Sequence, residues 1–301
     1  MALVSIYPYG KITIVQGDPG EGKTTLILNL AALLSRGSHF ERNSGTGNPL
    51  FVIYQTAEDG LADTVKPRLE EAGADCSKIL VIDDSEKSLT MDDERLEQAI
   101  TQTGAKLLIL DPIQAYLGNS VDMNRANEAR DMTKKLGKVA ERTGCAIVLI
   151  GHMNKAGGSK AAYRGIGSID FFAVARSVLL VARITEQEHI RVVAQIKNNL
   201  AEEGKPVAFE RCNDGFRWMG RYDITVDELL GGYSKSNKLQ QAKQYIKGLY
   251  GAVEIIPSKE IEQKAKAMGI SKRTLDMAKH ELQIPSKRIG DSWCWDLSKK
   301  D

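Results

Sequence analysis

The sequence predicts an α/β fold, a mostly parallel sheet flanked by helices, joined to a small α+β domain. Two patterns carry that prediction. Over residues 1–230, short apolar runs alternate with longer amphipathic stretches, the arrangement of a parallel sheet with helices on its faces. Past residue 231 the texture changes, because Gly231 to Asn237 (GGYSKSN) reads as a linker and a compact basic pattern of three helices and a hairpin follows. The expected domains are 1–230 and 237–301, with a linker at 231–236.

Taken in order, strands are expected at 11–16, 50–56, 79–83, 105–111, 145–151, 178–184, 190–197 and 206–211, with helices near 23–36, 60–72, 91–103, 124–143 and 168–176. Thr90, three residues before Asp93, resembles a capping box, and Gly144 after Arg142-Thr143 resembles a helix stop. Gly37 to Pro49 reads as a surface insertion. Short polar turns between the last strands predict that the parallel sheet ends in antiparallel hairpins. In the second domain a helix at 237–250 leads to an apolar stretch, Val253 to Ile256. Ser258 is expected to cap a helix with Ile261, Ala265 and Met268 on one face, and Ser271 another with Leu275, Ala278 and Leu282 inward. Lys287 to Ile289 and Trp293 to Trp295 read as two strands about a Gly290-Asp291 turn. This order resembles a winged helix-turn-helix, which makes the outward Lys272, Arg273, Lys279, Lys287 and Arg288 candidate DNA contacts. The alternative is a solvated basic face on an interaction domain.

Composition narrows the classes. The chain has 301 residues and net charge +2, but residues 232–301 carry 14 Lys/Arg against 8 Asp/Glu, net +6, leaving net −4 for the rest. The excess would favour a polyanion. Cys76, Cys145, Cys212 and Cys294 form no C-x-x-C pair, which points to reduced thiols and a cytoplasmic setting rather than zinc or disulfides. No apolar run approaches the roughly 18 residues of a membrane span, and no signal core follows the N-terminus, so the expectation is a soluble protein without membrane partners.

The chemistry begins at Gly17-Asp18-Pro19-Gly20-Glu21-Gly22-Lys23-Thr24, followed by Thr25, a complete G-x-x-x-x-G-K-T loop between an apolar strand and an apolar helix. Such a loop turns backbone N–H groups around a phosphate, while Lys23 reaches the β/γ-phosphates and Thr24 offers its hydroxyl to Mg²⁺. ATP and Mg²⁺ are the expected cofactors. Leu107 to Asp111 is an apolar strand ending in a carboxylate, so Asp111 is the second candidate for the metal's water shell. The strand at 50–56 delivers Glu58-Asp59 at its carboxyl end, where ligands of open α/β sheets sit. Glu58 is the candidate for orienting the attacking water, with the swapped assignment to Asp59 left open. A third strand ends in Gly151-His152, making His152 a candidate sensor of the γ-phosphate, with a structural histidine as the alternative. The loop after it carries Lys155, Lys160, Tyr163 and Arg164, which either track a nucleic-acid backbone or keep the loop soluble.

The ordered set Gly17-to-Thr25, Tyr54-Gln55-Thr56-Ala57-Glu58-Asp59, Leu110-Asp111-Pro112, Gly151-His152-Met153-Asn154-Lys155, Arg164-Gly165 and Ala175-Arg176-Ser177 resembles the RecA-superfamily ATPases of the RepA type, hexameric replicative helicases of plasmids, phages and mobile elements. The resemblance covers residues 5 to 220 or so and implies a RecA-like core, ATP at subunit interfaces of a hexameric ring, and DNA as partner, with a separate primase or initiator as a further one. It implies that Lys23, Thr24, Glu58, Asp111 and His152 come from one protomer, and that Arg176 reaches a neighbour's γ-phosphate as an arginine finger, unless it is an ordinary surface charge. Only Lys197 matches the paired basic residues of related ring helicases, because Asn198-Asn199 follow it. The leading expectation is an ATP-dependent DNA helicase or translocase in replication of a mobile element. An ATP-gated DNA-binding regulator or loader, and a small-molecule P-loop kinase, are the alternatives.

Overall fold

A computed structural model describes residues 7–38, 47–118, 126–152, 169–184, 187–212, 215–230, 234–249, 255–290 and 292–298. The chain forms two compact units, Met1–Leu229 and Leu230–Asp301.

The first unit is built on one sheet. Its strands are β1 (Ile12–Gly17), β2 (Val52–Thr56), β3 (Ile79–Leu80), β4 (Leu107–Asp111), β5 (Ala146–His152), β6 (Ser177–Ile184), β7 (Gln187–Asn198), β8 (Val207–Cys212) and β9 (Gly215–Arg221), in spatial order β3-β2-β4-β5-β1-β6-β7-β8-β9. Pairing is parallel from β3 through β6 and antiparallel from β6 to β9. The connecting helices are α1 (Lys23–Ser35), α2 (Lys66–Glu71), α3 (Glu94–Thr103), α4 (Ala126–Thr143), α5 (Ile169–Val174) and α6 (Val226–Leu230). Both faces of the central strands are buried, because successive side chains point to opposite faces. Ile12, Ile14, Leu108, Leu110, Ile147 and Leu149 pack on one side with Leu96, Leu136 and Phe171. Val15, Leu107, Ile109, Val148 and Ile150 pack on the other, with Leu26, Ile27 and Leu30 of α1. The same period of two then places Tyr54, Asp111 and His152 on the α1 side of the sheet.

Several elements depart from the sequence expectation. The strand expected at 79–83 pairs only over Ile79–Leu80. Beyond it the Gln55 side chain replaces the ladder, accepting from the Ile82 N–H at 3.0 Å and donating to the Ile82 carbonyl at 2.8 Å. The helix expected at 60–72 starts as a π turn, Leu61–Val65, with Pro67 in the first turn of α2. Proline has no amide to continue the i→i−4 ladder. The cap of α3 is Asp93, whose carboxylate accepts from Arg95 N at 2.9 Å, and Thr90 instead donates to Asp92. Gly144 ends α4 as expected, its N–H donating to Ala140 O at 2.9 Å. An unexpected strand, β9, forms because Phe216 and Trp218 pack with Phe209 of β8, ring centroids 5.0 and 6.1 Å away.

The second unit has its own core. It contains α7 (Ser234–Leu249), β10 (Ile255–Pro257), α8 (Ser258–Ala267), α9 (Lys272–Glu281), β11 (Ser286–Ile289) and β12 (Ser292–Asp296), with sheet order β10-β12-β11. Ile246, Ile261, Ala265, Ile270, Leu275, Ala278 and Trp295 bury one another. Ser271 caps α9 by accepting from Thr274 N. Ser258 is not a cap: it is the first residue of α8 and Pro257 holds the cap position. Met268 does not join the inward face, being 48% exposed. The helix ends before it in a Schellman pair, Gly269 N to Lys266 O at 3.0 Å and Ile270 N to Ala265 O at 2.9 Å, which turns Ile270 into the core instead.

Candidate nucleotide-binding site

The phosphate loop joins β1 to α1 at the carboxyl edge of the sheet, and its backbone is held from beneath. A Cβ at Gly17 would sit 2.2 Å from the Val181 carbonyl oxygen, so only glycine fits. Gly22 has φ +90° and lies against Arg191 and Phe209, where a Cβ would fall 3.4 Å from Arg191 Cδ. Arg191 is 8% exposed and donates to the Glu188 and His189 carbonyls at 2.9 and 3.1 Å. Arg183 of β6 donates to Glu21 of the loop at 3.2 Å. Burial, then the nearby charges of Arg211 and Arg183, pulls the Arg191 guanidinium below its ordinary value.

Lys23, the first residue of α1, is 4% exposed. Its ammonium donates to the Gly17 and Asp18 carbonyls, 2.9 Å each. Burial lowers its pKa, against the opposing pull of Asp111, Glu21, Asp18 and Glu58. Asp111 ends β4 and is 8% exposed. One of its oxygens accepts from both Thr24 Oγ1 and the Tyr54 hydroxyl, 2.9 Å each. Burial raises the Asp111 pKa, and Glu58 and Asp59 add to the rise while the Thr24 and Tyr54 hydrogen bonds offset part of it. A buried carboxylate beside further carboxylates and a hydroxyl is a donor set that suits a hard divalent cation, so the residues present fit Mg²⁺.

The water-positioning candidates separate in the structure. Asp59 is bound by Arg68 at 3.0 Å, and its own N–H donates to Thr56 Oγ1. Glu58 instead faces His152, Oε1 to Nε2 3.9 Å. His152 stands beside Gly17, since β1 and β5 pair Gly17 with His152. Its Nδ1 is buried with no hydrogen-bond partner among the described residues. Lys155, Lys160, Tyr163 and Arg164 lie outside the described residues, as does most of the insertion at 37–49.

Arg176 is elsewhere. It is exposed, precedes β6 rather than ending a helix, and donates its N–H to Ile12 O at 3.1 Å. Ile12 opens the strand that Gly17 closes, so Arg176 occupies the amino edge of the sheet, about 17 Å of strand from its own phosphate loop. Lys197 is tied at that edge to the Phe172 carbonyl, 2.6 Å. In the second unit Lys272 is paired with Glu262 at 3.0 Å. Lys279 stacks 4.7 Å over the Trp295 ring and bonds Ser286, while Arg273, Lys287 and Arg288 are exposed.

Sequence reasoning assigned no role in the site to Tyr54, Arg183 or Arg191. A tyrosine in an apolar strand reads as core, and the arginines become neighbours of the loop only through the order β1-β6-β7. A signal existed for two of them, because Tyr54 and Arg183 lie close to the carboxyl ends of β2 and β6.

Residues 4–158 match the family described as AAA domain. The chain belongs to that family. Among curated proteins it is similar to the DNA repair protein RadA of Halalkalibacterium halodurans, 27% identical over 212 residues that cover 68% of this chain and 40% of the relative. The RadA of Bacillus subtilis is 24% identical over 235 residues, covering 76% of this chain and 45% of the relative. The chain thus spans less than half the length of these relatives. Among solved structures an ATPase domain superposes with a TM-score of 0.52 at 14% identity, covering 69% of this chain and 84% of that one. The fold is that of a RecA-superfamily P-loop ATPase. No helix among the described residues is long and apolar enough to cross a membrane.

Proposed function

We propose that this protein hydrolyses ATP with Mg²⁺ at the carboxyl edge of its sheet and couples the reaction to DNA as a ring-forming helicase or translocase. The observation that carries the reading is the convergence on the phosphate loop of Thr24, Asp111 and Tyr54 through shared 2.9 Å hydrogen bonds, with Glu58 and His152 at the neighbouring strand ends. The loop backbone from Gly17 to Thr25 cradles the phosphates, and Lys23 neutralises the β/γ charge. Thr24 and Asp111 would hold Mg²⁺, which would supply Lewis-acid stabilisation of the charge on the phosphates. Tyr54 keeps the Asp111 carboxylate aimed at Thr24. Glu58, exposed and free of the Arg68 pair that occupies Asp59, orients the attacking water. His152, 3.9 Å from Glu58 and paired across strands with Gly17, would register loss of the γ-phosphate.

Arg176 points to the oligomer. At the amino edge it has no path to its own site, so as an arginine finger it serves only a neighbouring protomer. A hexameric ring supplies that neighbour, and the likeness to RadA, a DNA repair protein, supports DNA as the partner. A loader or regulator that hydrolyses ATP without unwinding is the second reading, favoured by the separate basic C-terminal unit, whose core resembles a winged helix. The deciding experiment is ATP hydrolysis with and without single-stranded DNA, together with the mass of the protein in nucleotide. Strong stimulation in a hexamer supports the motor. Weak stimulation in a monomer or dimer supports the regulator, and no hydrolysis with Mg²⁺ overturns both.

A further inference from the structure

The C-terminal unit distributes its charge differently from a helix that reads a major groove. On α9, Lys272 is neutralised by Glu262 and Glu281 by Lys243. Lys279 is drawn back onto Trp295, partly buried, with its pKa lowered by desolvation. What α9 leaves exposed is Arg273, Asp276, Met277 and His280, one fixed cation against one carboxylate. The unpaired positive charge sits on the β11–β12 hairpin instead. Arg288 is exposed and has no hydrogen bond or ion pair among the described residues, whereas Lys287 points to the opposite face of the strand, against Cys294, with its charge acting on Asp296.

The hairpin also carries an aromatic ring that the fold does not use. Trp295 fills the core at 2% exposure, whereas Trp293, two residues earlier, is 60% exposed. Register pairs Arg288 directly with Trp293 across the two strands, and directly opposed residues share a face. An exposed indole beside an unpaired guanidinium on the same face is a stacking platform with a phosphate contact.

We propose that this hairpin binds single-stranded nucleic acid, a base stacking on Trp293 while the Arg288 guanidinium beside it contacts the backbone. Charge complementarity selects the occupant, since residues 232–301 carry net +6. The proposal deepens the DNA-coupled reading above and rests on it for biological purpose, but the binding itself stands on the hairpin alone.

The test uses the full chain, oligothymidylate and a blunt duplex, with binding followed by anisotropy and by tryptophan emission. Oligothymidylate is expected to bind more tightly than the duplex and to quench emission. Trp293→Ala should weaken oligothymidylate roughly 5- to 150-fold, the range of one lost base–aromatic stack, and Trp293→Phe should retain most of the affinity. Arg288→Ala should reduce the salt slope by about 0.7. DNA-independent ATP turnover, measured alongside, should be the same in the parent and Trp293→Ala. Unchanged oligothymidylate affinity in Trp293→Ala overturns the proposal. So does a duplex bound as tightly as the single strand and equally weakened by Trp293→Ala, which would make the unit a duplex reader. An inactive parent that still shows Trp293-dependent quenching sinks the ATPase reading while leaving the hairpin site standing.

Discussion

At the carboxyl edge of the sheet, Lys23 and Asp111 are buried and bound to partners within the chain, whereas at the amino edge Arg176 is exposed. Both edges carry charge. The difference is that the first is arranged to complete itself and the second is not. Around the phosphate loop, Lys23, Asp111 and Glu58 face groups that take part in the same proposed reaction. At the other edge Lys11 pairs with Glu141 at 2.8 Å, Lys197 is held by carbonyls, and Arg176 stays exposed with its charge acting on Glu141. If Arg176 acts as the proposed finger, the site is divided between neighbouring protomers.

The largest effect should come from the buried edge. Lys23→Ala is expected to abolish hydrolysis and weaken ATP binding, because it removes the cation that neutralises the β/γ-phosphates. Turnover at the parent rate would remove the phosphate role. Arg176→Ala should lower turnover by about 10³-fold or more with nucleotide affinity nearly intact. Mixing sharpens the contrast between edges. Glu58→Gln subunits, dead in their own site but still carrying Arg176, should partly rescue Arg176→Ala subunits, and confirmed mixed assembly without rescue would show that the amino edge is not a finger.

Glu58→Gln alone is expected to retain ATP while losing about 10²-fold or more in rate, the usual range for a positioned base. Equal loss in Asp59→Asn would instead favour the swapped assignment. The smallest effect concerns stability. Asp111 has a raised folded pKa, so its charged form is a cost to folding that is fully present above that pKa and relieved as pH falls through it. Asp111→Asn should therefore raise the melting temperature without Mg²⁺, at about 2–4 °C for each kcal/mol recovered, and should abolish any stabilisation that Mg²⁺ gives the parent. A lower melting temperature would mean that the Thr24 and Tyr54 hydrogen bonds outweigh the burial cost.

The loop, the Asp111 strand and the parallel core were legible because each depends on local spacing: two glycines and a lysine, or four apolar residues and a carboxylate. Tyr54 was not, since its hydroxyl matters only once β2 lies beside β4 in a register pairing Thr56 with Asp111. The same holds for Arg183 and Arg191, brought to Glu21 and Gly22 by strands far along the chain. The Thr90 and Ser258 caps failed for a local reason. A nearby Asp93, and Pro257 with its fixed φ, were better or earlier helix starts. In the C-terminal unit the lysines of α9 looked free in sequence and were not, because their partners Glu262 and Trp295 lie on other elements.

The side chain of Gln55 has a consequence for how copies of this protein meet. By taking both backbone groups of Ile82, it peels the chain away from the sheet after only two residues of β3. The outermost strand on that side is thereby too short to serve as a template for a foreign strand, the usual route by which open sheets stick edge to edge. Growth of the sheet from one molecule into the next is disfavoured on that side.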